Sequence, residues 1–199
     1  QAAFRLAPER AASGLLGWGV ALFEAEQYAE SAEVLRQGAE LPGVEGGRAA
    51  VFQYYRAAAL EMAGKTDEAL DAAREAVRLS EDSAVFHSRV AWIFHHADRK
   101  SEAAAAYRAL VDRFDGQHGS PQVRRIVRQS RMILSNLCLE EHRIPEAAEW
   151  LEQVLDEFPE DPGALNDLGY LWADKNMHLQ RARRMIEQAV AAEPDNGAF

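Results

Sequence analysis

Leu165-Asn166-Asp167-Leu168-Gly169-Tyr170-Leu171-Trp172, followed by Ala182, Ile186 and Pro194, is the stretch whose reading decides the fold. Leu165, Leu168 and Trp172 return at the three-to-four-residue spacing of one helix face. Ala182 and Ile186 repeat that spacing on a second helix, which Pro194 ends. Two short helices joined by a turn make a hairpin, and the same beat can be followed back along the chain.

Aligning the small residue early in each second helix gives Ser31, Ala69, Ala103, Ala147 and Ala182, spaced 38, 34, 44 and 35. A small residue is needed there because helix axes about 8 to 10 Å apart leave no room for a long side chain. This pattern resembles the tetratricopeptide repeat, a 34-residue helix–turn–helix unit with Leu-Gly and an aromatic residue in its first helix and Ala, a bulky residue and Pro later. The resemblance implies an all-α, right-handed superhelical solenoid of about five antiparallel hairpins. It is expected as a single array over 1–199, with repeats at about 12–45, 50–83, 84–117, 121–161 and 162–196.

Each repeat has its own signals. In the first, Leu15, Trp18, Gly19 and Leu22 fill the apolar stripe of one helix, and Tyr28, Ser31, Leu35 and Gly38 that of the next, with Pro42-Gly43 as a break. In the second, Arg56 stands where leucine is usual. The glycines after Phe114 break the helix, and Ser120-Pro121 starts a long one over about 121–141, since serine caps free amides and proline at the first helical position loses no hydrogen bond. Asp161-Pro162 opens the fifth repeat by the same logic, and one extra residue around Asn176-Met177-His178 lengthens its turn.

At the ends, Ala3, Phe4, Leu6 and Pro8 have the spacing of the tail of a preceding second helix, and Gly197-Ala198-Phe199 that of an opening first helix. The chain is therefore expected to be cut from a longer array. On that reading the face of the last helix bearing Met185, Ile186, Ala189 and Val190 lacks cover, and homotypic end-to-end association follows.

Net charge is -10, which on average repels nucleic acid and anionic membrane surfaces, so a protein or peptide partner is expected. No apolar run reaches the roughly 18 residues of a spanning helix, and membrane insertion is not expected. Cys138 is the only cysteine, so no intrachain disulfide forms; this fits the cytosol, which is slightly favoured, and is compatible with the periplasm or secretion. Arg outnumbers Lys 19 to 3 with abundant Ala, a composition associated with GC-rich bacterial genomes.

The resemblance implies a concave wall lined by first helices. Carrying its inward positions over gives Leu16, Val20 and Phe23, then Tyr54, Ala58 and Glu61, then Ser88, Trp92, His95 and His96, and finally Met132, Asn136, Asn166 and Tyr170. Aromatic side chains on such a wall can bury about 150 to 250 Å² each against a peptide; the alternative is that Tyr54, Trp92 and Tyr170 pack between neighbouring helices. Some members hold a C-terminal carboxylate with Lys and Asn, but here only Asn136 suits that clamp and no Lys occupies the wall.

His87, His95 and His96 share a helix without the spacing or extra ligands of a metal site, so no metal or other cofactor is expected. Arg124, Arg125, Arg128 and Arg131 form a stripe that could hold an acidic peptide or phosphate. The alternative is a solvated face answered by carboxylates such as Glu102 or Asp112. No nucleophile motif or glycine-rich phosphate loop appears, so the chain is expected to be a non-catalytic interaction scaffold. Its rivals are a regulatory or substrate-presenting arm of a larger enzyme and a self-assembling scaffold.

Overall fold

The computed structural model describes residues 8–117 and 119–197. The expectations for Ala3, Phe4, Leu6, Ala198 and Phe199 fall outside them, while Pro8 opens the first helix. Among the described residues there are ten helices and no strand: α1 (Pro8–Glu24), α2 (Tyr28–Ala39), α3 (Gly46–Met62), α4 (Thr66–Leu79), α5 (Ala84–His96), α6 (Lys100–Phe114), α7 (Pro121–Glu140), α8 (Ile144–Glu157), α9 (Pro162–Asp174) and α10 (Leu179–Ala192). α1 packs with α2, α3 with α4, α7 with α8 and α9 with α10, and the same short turn joins α5 to α6. The chain divides into two compact units, 1–106 and 107–199, with the division inside α6.

One pair of small residues recurs in every repeat: Gly19 and Ser31, Ala57 and Ala69, Ala91 and Ala103, Ser135 and Ala147, and Gly169 and Ala182, all buried. In the first, fourth and fifth the two helices cross there in direct contact. At two crossings serine puts its hydroxyl to use: Ser31 Oγ donates to the Gly19 carbonyl at 2.7 Å and Ser135 Oγ to the Ala147 carbonyl at 2.9 Å. The fit is tightest around glycine. A Cβ on Gly169 would lie 2.8 Å from Ile186 and 3.0 Å from the Ala182 carbonyl oxygen.

The turns are alike too. The amides of Gln27, Lys65, Arg99, Arg143 and Met177 each donate to the carbonyl five residues back, at 2.7 to 2.9 Å, and the residue before Gln27, Lys65, Arg99, Arg143 and Met177 has positive φ. This is the Schellman ending, which satisfies carbonyls at a helix C-terminus. Only Gly64 among these five is a glycine; Glu26, Asp98, His142 and Asn176 accept the left-handed conformation with a Cβ. The turn of the last hairpin has the extra residue expected near Asn176, and His178 there also has positive φ.

The helix starts read from sequence hold. Ser120 accepts from the Val123 amide at 3.3 Å and Asp161 from the Ala164 amide at 2.9 Å, each with proline at the first helical position. In unit 2, Leu151, Val154, Leu165, Leu168, Trp172 and Met185 form one apolar cluster around buried Cys138. In unit 1, Ala50, Ala76 and Phe86 gather Tyr54, Val77 and Leu79.

Two expectations need correction, and one departure finds its place. Trp18 does not fill the stripe of α1: it is 56% exposed, because α1 follows no described helix, whereas Leu168 at the same repeat position is buried against the preceding hairpin. The last helix is less bare than expected, since Met185 and Ala189 are buried within its own unit and Ile186 packs at Gly169; Val190, 42% exposed, is the part left uncovered. Arg56, which replaces the usual leucine, is half-buried beside a cleft of about 170 Å³ that Glu33, Arg36 and Leu60 also line, and it donates to Gln53 at 3.3 Å. A long stem with a charge at its tip can occupy an apolar position when the tip reaches water.

Candidate functional site

In unit 1, α3 and α5 pack together and carry most of the proposed wall. Tyr54 is half-buried, its ring tilted against Phe86 with centroids 5.7 Å apart and edge-on to Tyr55 at 5.2 Å. Trp92 is half-buried and stacks on His96 at 5.1 Å. Beneath His96 lies Glu61, only 4% exposed, whose Oε1 is 2.7 Å from His96 Nδ1. The other oxygen of Glu61 has no hydrogen-bond partner. Tyr54 and Trp92 thus combine the two alternatives: each packs locally and each keeps some accessible surface.

Arg89, absent from the wall read in the sequence, completes this cluster. Its guanidinium carbon lies 4.1 Å from the Tyr54 ring centroid and 4.8 Å from that of Trp92. A basic residue three positions before a first-helix tryptophan, hence on the same helix face, was the available signal. Phe23 instead turns to its own hairpin, edge-on to Tyr28 at 5.3 Å, and His95 is exposed.

Unit 2 presents a more polar face. Asn136 is exposed, Tyr170 is 67% exposed, and Met132 is half-buried against the core. Asn166 donates to Asp167 at 3.2 Å. Burial raises the Asp167 carboxyl above its ordinary range, and the nearby charge of Asp161 adds to this, against the hydrogen bond from Asn166.

The arginine stripe lies in unit 2 and is answered by carboxylates. Arg124 pairs with Glu157 at 2.6 Å, Arg128 with Asp161, and buried Arg131 with Asp115 and with Glu157 at 3.2 Å. The answering groups are therefore Asp115, Glu157 and Asp161 rather than Glu102 or Asp112; Glu102 pairs with Arg99. Arg125 is exposed. Burial opposes the charge on Asp161, but the Arg128 hydrogen bond and the Ala164 amide outweigh it and lower its pKa. Among the described residues no group of three or more His, Cys, Asp or Glu is placed to hold a metal ion, and no helix is long and apolar enough to cross a membrane.

No curated protein matches the chain. Several solved structures share its fold. "MamA RS-1 ArsTM double mutant" is 13% identical, with 95% of this chain and 98% of that one covered and a TM-score of 0.67. A Pseudomonas aeruginosa pilF structure is 14% identical, with 92% and 77% covered and a TM-score of 0.69. YrrB, described as a TPR protein with an unusual peptide-binding site, is 15% identical, with 92% and 86% covered and a TM-score of 0.60. The tetratricopeptide repeat family model matches residues 16–84 and 63–118, together more than half of the chain. With the small-residue crossings and repeated turns, this match establishes that the chain belongs to the tetratricopeptide repeat family.

Proposed function

We propose that this chain is a non-catalytic scaffold that holds a protein or peptide segment against its first helices. The family's general role is protein–protein interaction. The observation that carries the finer reading is aromatic surface left over after packing: Tyr170 on α9 is 67% exposed, and Tyr54 and Trp92 on α3 and α5 are half-buried. Burial of such rings against a partner supplies affinity, and neighbouring polar groups supply orientation.

In unit 1 the contact surface is Tyr54, Trp92, His95 and His96; in unit 2 it is Asn136, Asn166 and Tyr170, with Met132 behind them. YrrB, a chain of the same fold described as having an unusual peptide-binding site, supports this reading. The ion pairs of Arg124, Arg128 and Arg131 leave them better suited to joining helices than to binding a free anion.

The test is selection of peptides from a random displayed library, followed by titration of the enriched peptides against variants. Replacing Tyr54, Trp92 and Tyr170 together with Ala should weaken binding by about tenfold or more, some 1.4 kcal/mol, with the helical spectrum unchanged. Unchanged affinity in folded variants would exclude these faces as the binding surface.

A further inference from the structure

Most arginines whose contacts are resolved in this fold are answered by acids: Arg36, Arg78, Arg99, Arg124, Arg131 and Arg143 all sit within ion-pair distance of a carboxylate. Arg89 is different. It is half-buried; its Nε is buried without an acceptor, as are those of Arg131 and Arg143, but where their terminal nitrogens meet carboxylates, its guanidinium lies over the Tyr54 and Trp92 rings at 4.1 and 4.8 Å. Glu61, buried on α3, meets His96 through one oxygen, and neither of its oxygens pairs with Arg89.

Leaving a guanidinium donor buried without an acceptor costs free energy, more for a charged group than for a neutral one. Ring contacts recover part of that cost by cation–π attraction, and they fix the guanidinium in place. They offer no acceptor in the guanidinium plane. A guanidinium already held against two rings loses little freedom when a carboxylate docks, and its two terminal nitrogens, rather than the enclosed Nε, would meet both carboxylate oxygens.

Resting on the peptide-binding reading above, we infer that Arg89 is an anchor for a single acidic side chain of the bound segment, with apolar residues beside that acid lying on Tyr54 and Trp92. The net charge of -10 sets the rest of the chemistry. A run of acids would be repelled by the molecule as a whole, whereas one acid among apolar residues meets Arg89 inside the roughly 8 Å over which charge is felt at physiological salt. The partner segment is therefore apolar with an isolated Asp or Glu.

The probe is the blocked peptide acetyl-Leu-Ala-Glu-Ala-Leu-amide, titrated into ¹⁵N-labelled protein while the Arg89 Nε–H and Trp92 indole resonances are followed. Both should shift saturably, and the Gln version should bind about tenfold more weakly. Arg89→Met should reduce the Glu peptide to the level of the Gln peptide, with the helical spectrum retained. Arg89→Lys keeps the charge without the fork and should lose most of the preference even if the Met variant unfolds. Glu and Gln peptides binding within twofold of one another, with Trp92 shifted by both, would overturn the anchor and leave the groove standing. A Trp92 indole unmoved by either peptide would overturn both. A Gln peptide with a free C-terminus that matches the blocked Glu peptide would assign the site to chain ends and refute the side-chain anchor.

Discussion

Gly38 lies in α2, and its replacement by Ala tests the packing of unit 1 directly. A Cβ at this position would lie 2.1 Å from Phe52 Cε1, 2.6 Å from Cζ and 2.7 Å from Cδ1. Carbon atoms in contact sit about 3.5 to 4.0 Å apart, so the ring must retreat by roughly 1 Å or more. Phe52 is fully buried, so its ring can retreat only by displacing close-packed neighbours. Forcing an extra carbon into such a core costs typically 1 to 3 kcal/mol, and the overlap places this case near the upper end. Against that, Ala is better than Gly in a helix by about 1 kcal/mol. The net expectation is a loss of about 1 to 2 kcal/mol.

Gly17 in α1 provides the control, because a Cβ there meets nothing within 4 Å. Gly17→Ala should stabilise by about 0.5 to 1 kcal/mol through backbone entropy alone. At roughly 2 to 4 °C per kcal/mol for a chain of this size, thermal melts followed by circular dichroism should place Gly38→Ala about 2 to 8 °C below the wild type and Gly17→Ala slightly above it. Adding Phe52→Leu should make the Gly38→Ala step cheaper, a coupling of about 0.5 to 3 kcal/mol between touching residues. Gly38→Ala melting at or above the wild type, or no coupling with Phe52, would refute the packing argument.

Other outcomes can be stated briefly. Gly64→Ala puts a Cβ on a residue with φ of 76° and should cost about 1 to 2 kcal/mol in urea unfolding, whereas His142→Gly should be neutral or stabilising. Asp161→Asn keeps a good helix cap but loses the Arg128 ion pair; because the Asp161 pKa is lowered by folding, its contribution is present above the unfolded value of about 3.9 and fades as pH falls through the folded value, so the variant should be less stable at pH 7 and equal to the wild type in strong acid. Asp167 has the opposite sign: its raised pKa disfavours folding once the group ionises, so Asp167→Asn should raise the melting temperature at pH 7, with the gain gone below about pH 4. Burial raises the Cys138 thiol, so labelling by a thiol reagent should be slow in native protein and track the opening of unit 2 with denaturant.

Legibility followed the range of the interaction. The Ser120 and Asp161 caps act on amides three residues away, and the crossing residues Ala147 and Ala182 obey a size limit that shows in the sequence as a spacing. The carboxylates answering the arginine stripe come from 16 to 33 residues away, and no periodicity marks Glu157 or Asp161 as the partners rather than Glu102 or Asp112. Trp18 was misplaced because its burial depends on what precedes α1, not on its own helix. The left-handed turn residues are hard to read for another reason: only Gly64 is a glycine, Asp98, His142 and Asn176 carry just the weak preference of their residue types for positive φ, and Glu26 carries none.

The same division separates what holds the fold from what it can recognise. All five crossings accept only Gly, Ala or Ser, so they fix hairpin geometry and leave almost no chemistry free to vary. Chemistry is left free on exposed or half-buried faces, among them those of the first helices, where Tyr54, Arg89, Trp92 and His96 stand in unit 1 and Asn136, Asn166 and Tyr170 in unit 2. A change such as Tyr170→Ala removes a side chain that is mostly in water and should leave stability within about 0.5 kcal/mol, while Ala147→Leu at a crossing should cost about 1 to 3 kcal/mol. If the face substitutions proved as destabilising as the crossing ones, those side chains would belong to the core, and the separation of fold from recognition on which the binding reading depends would fail.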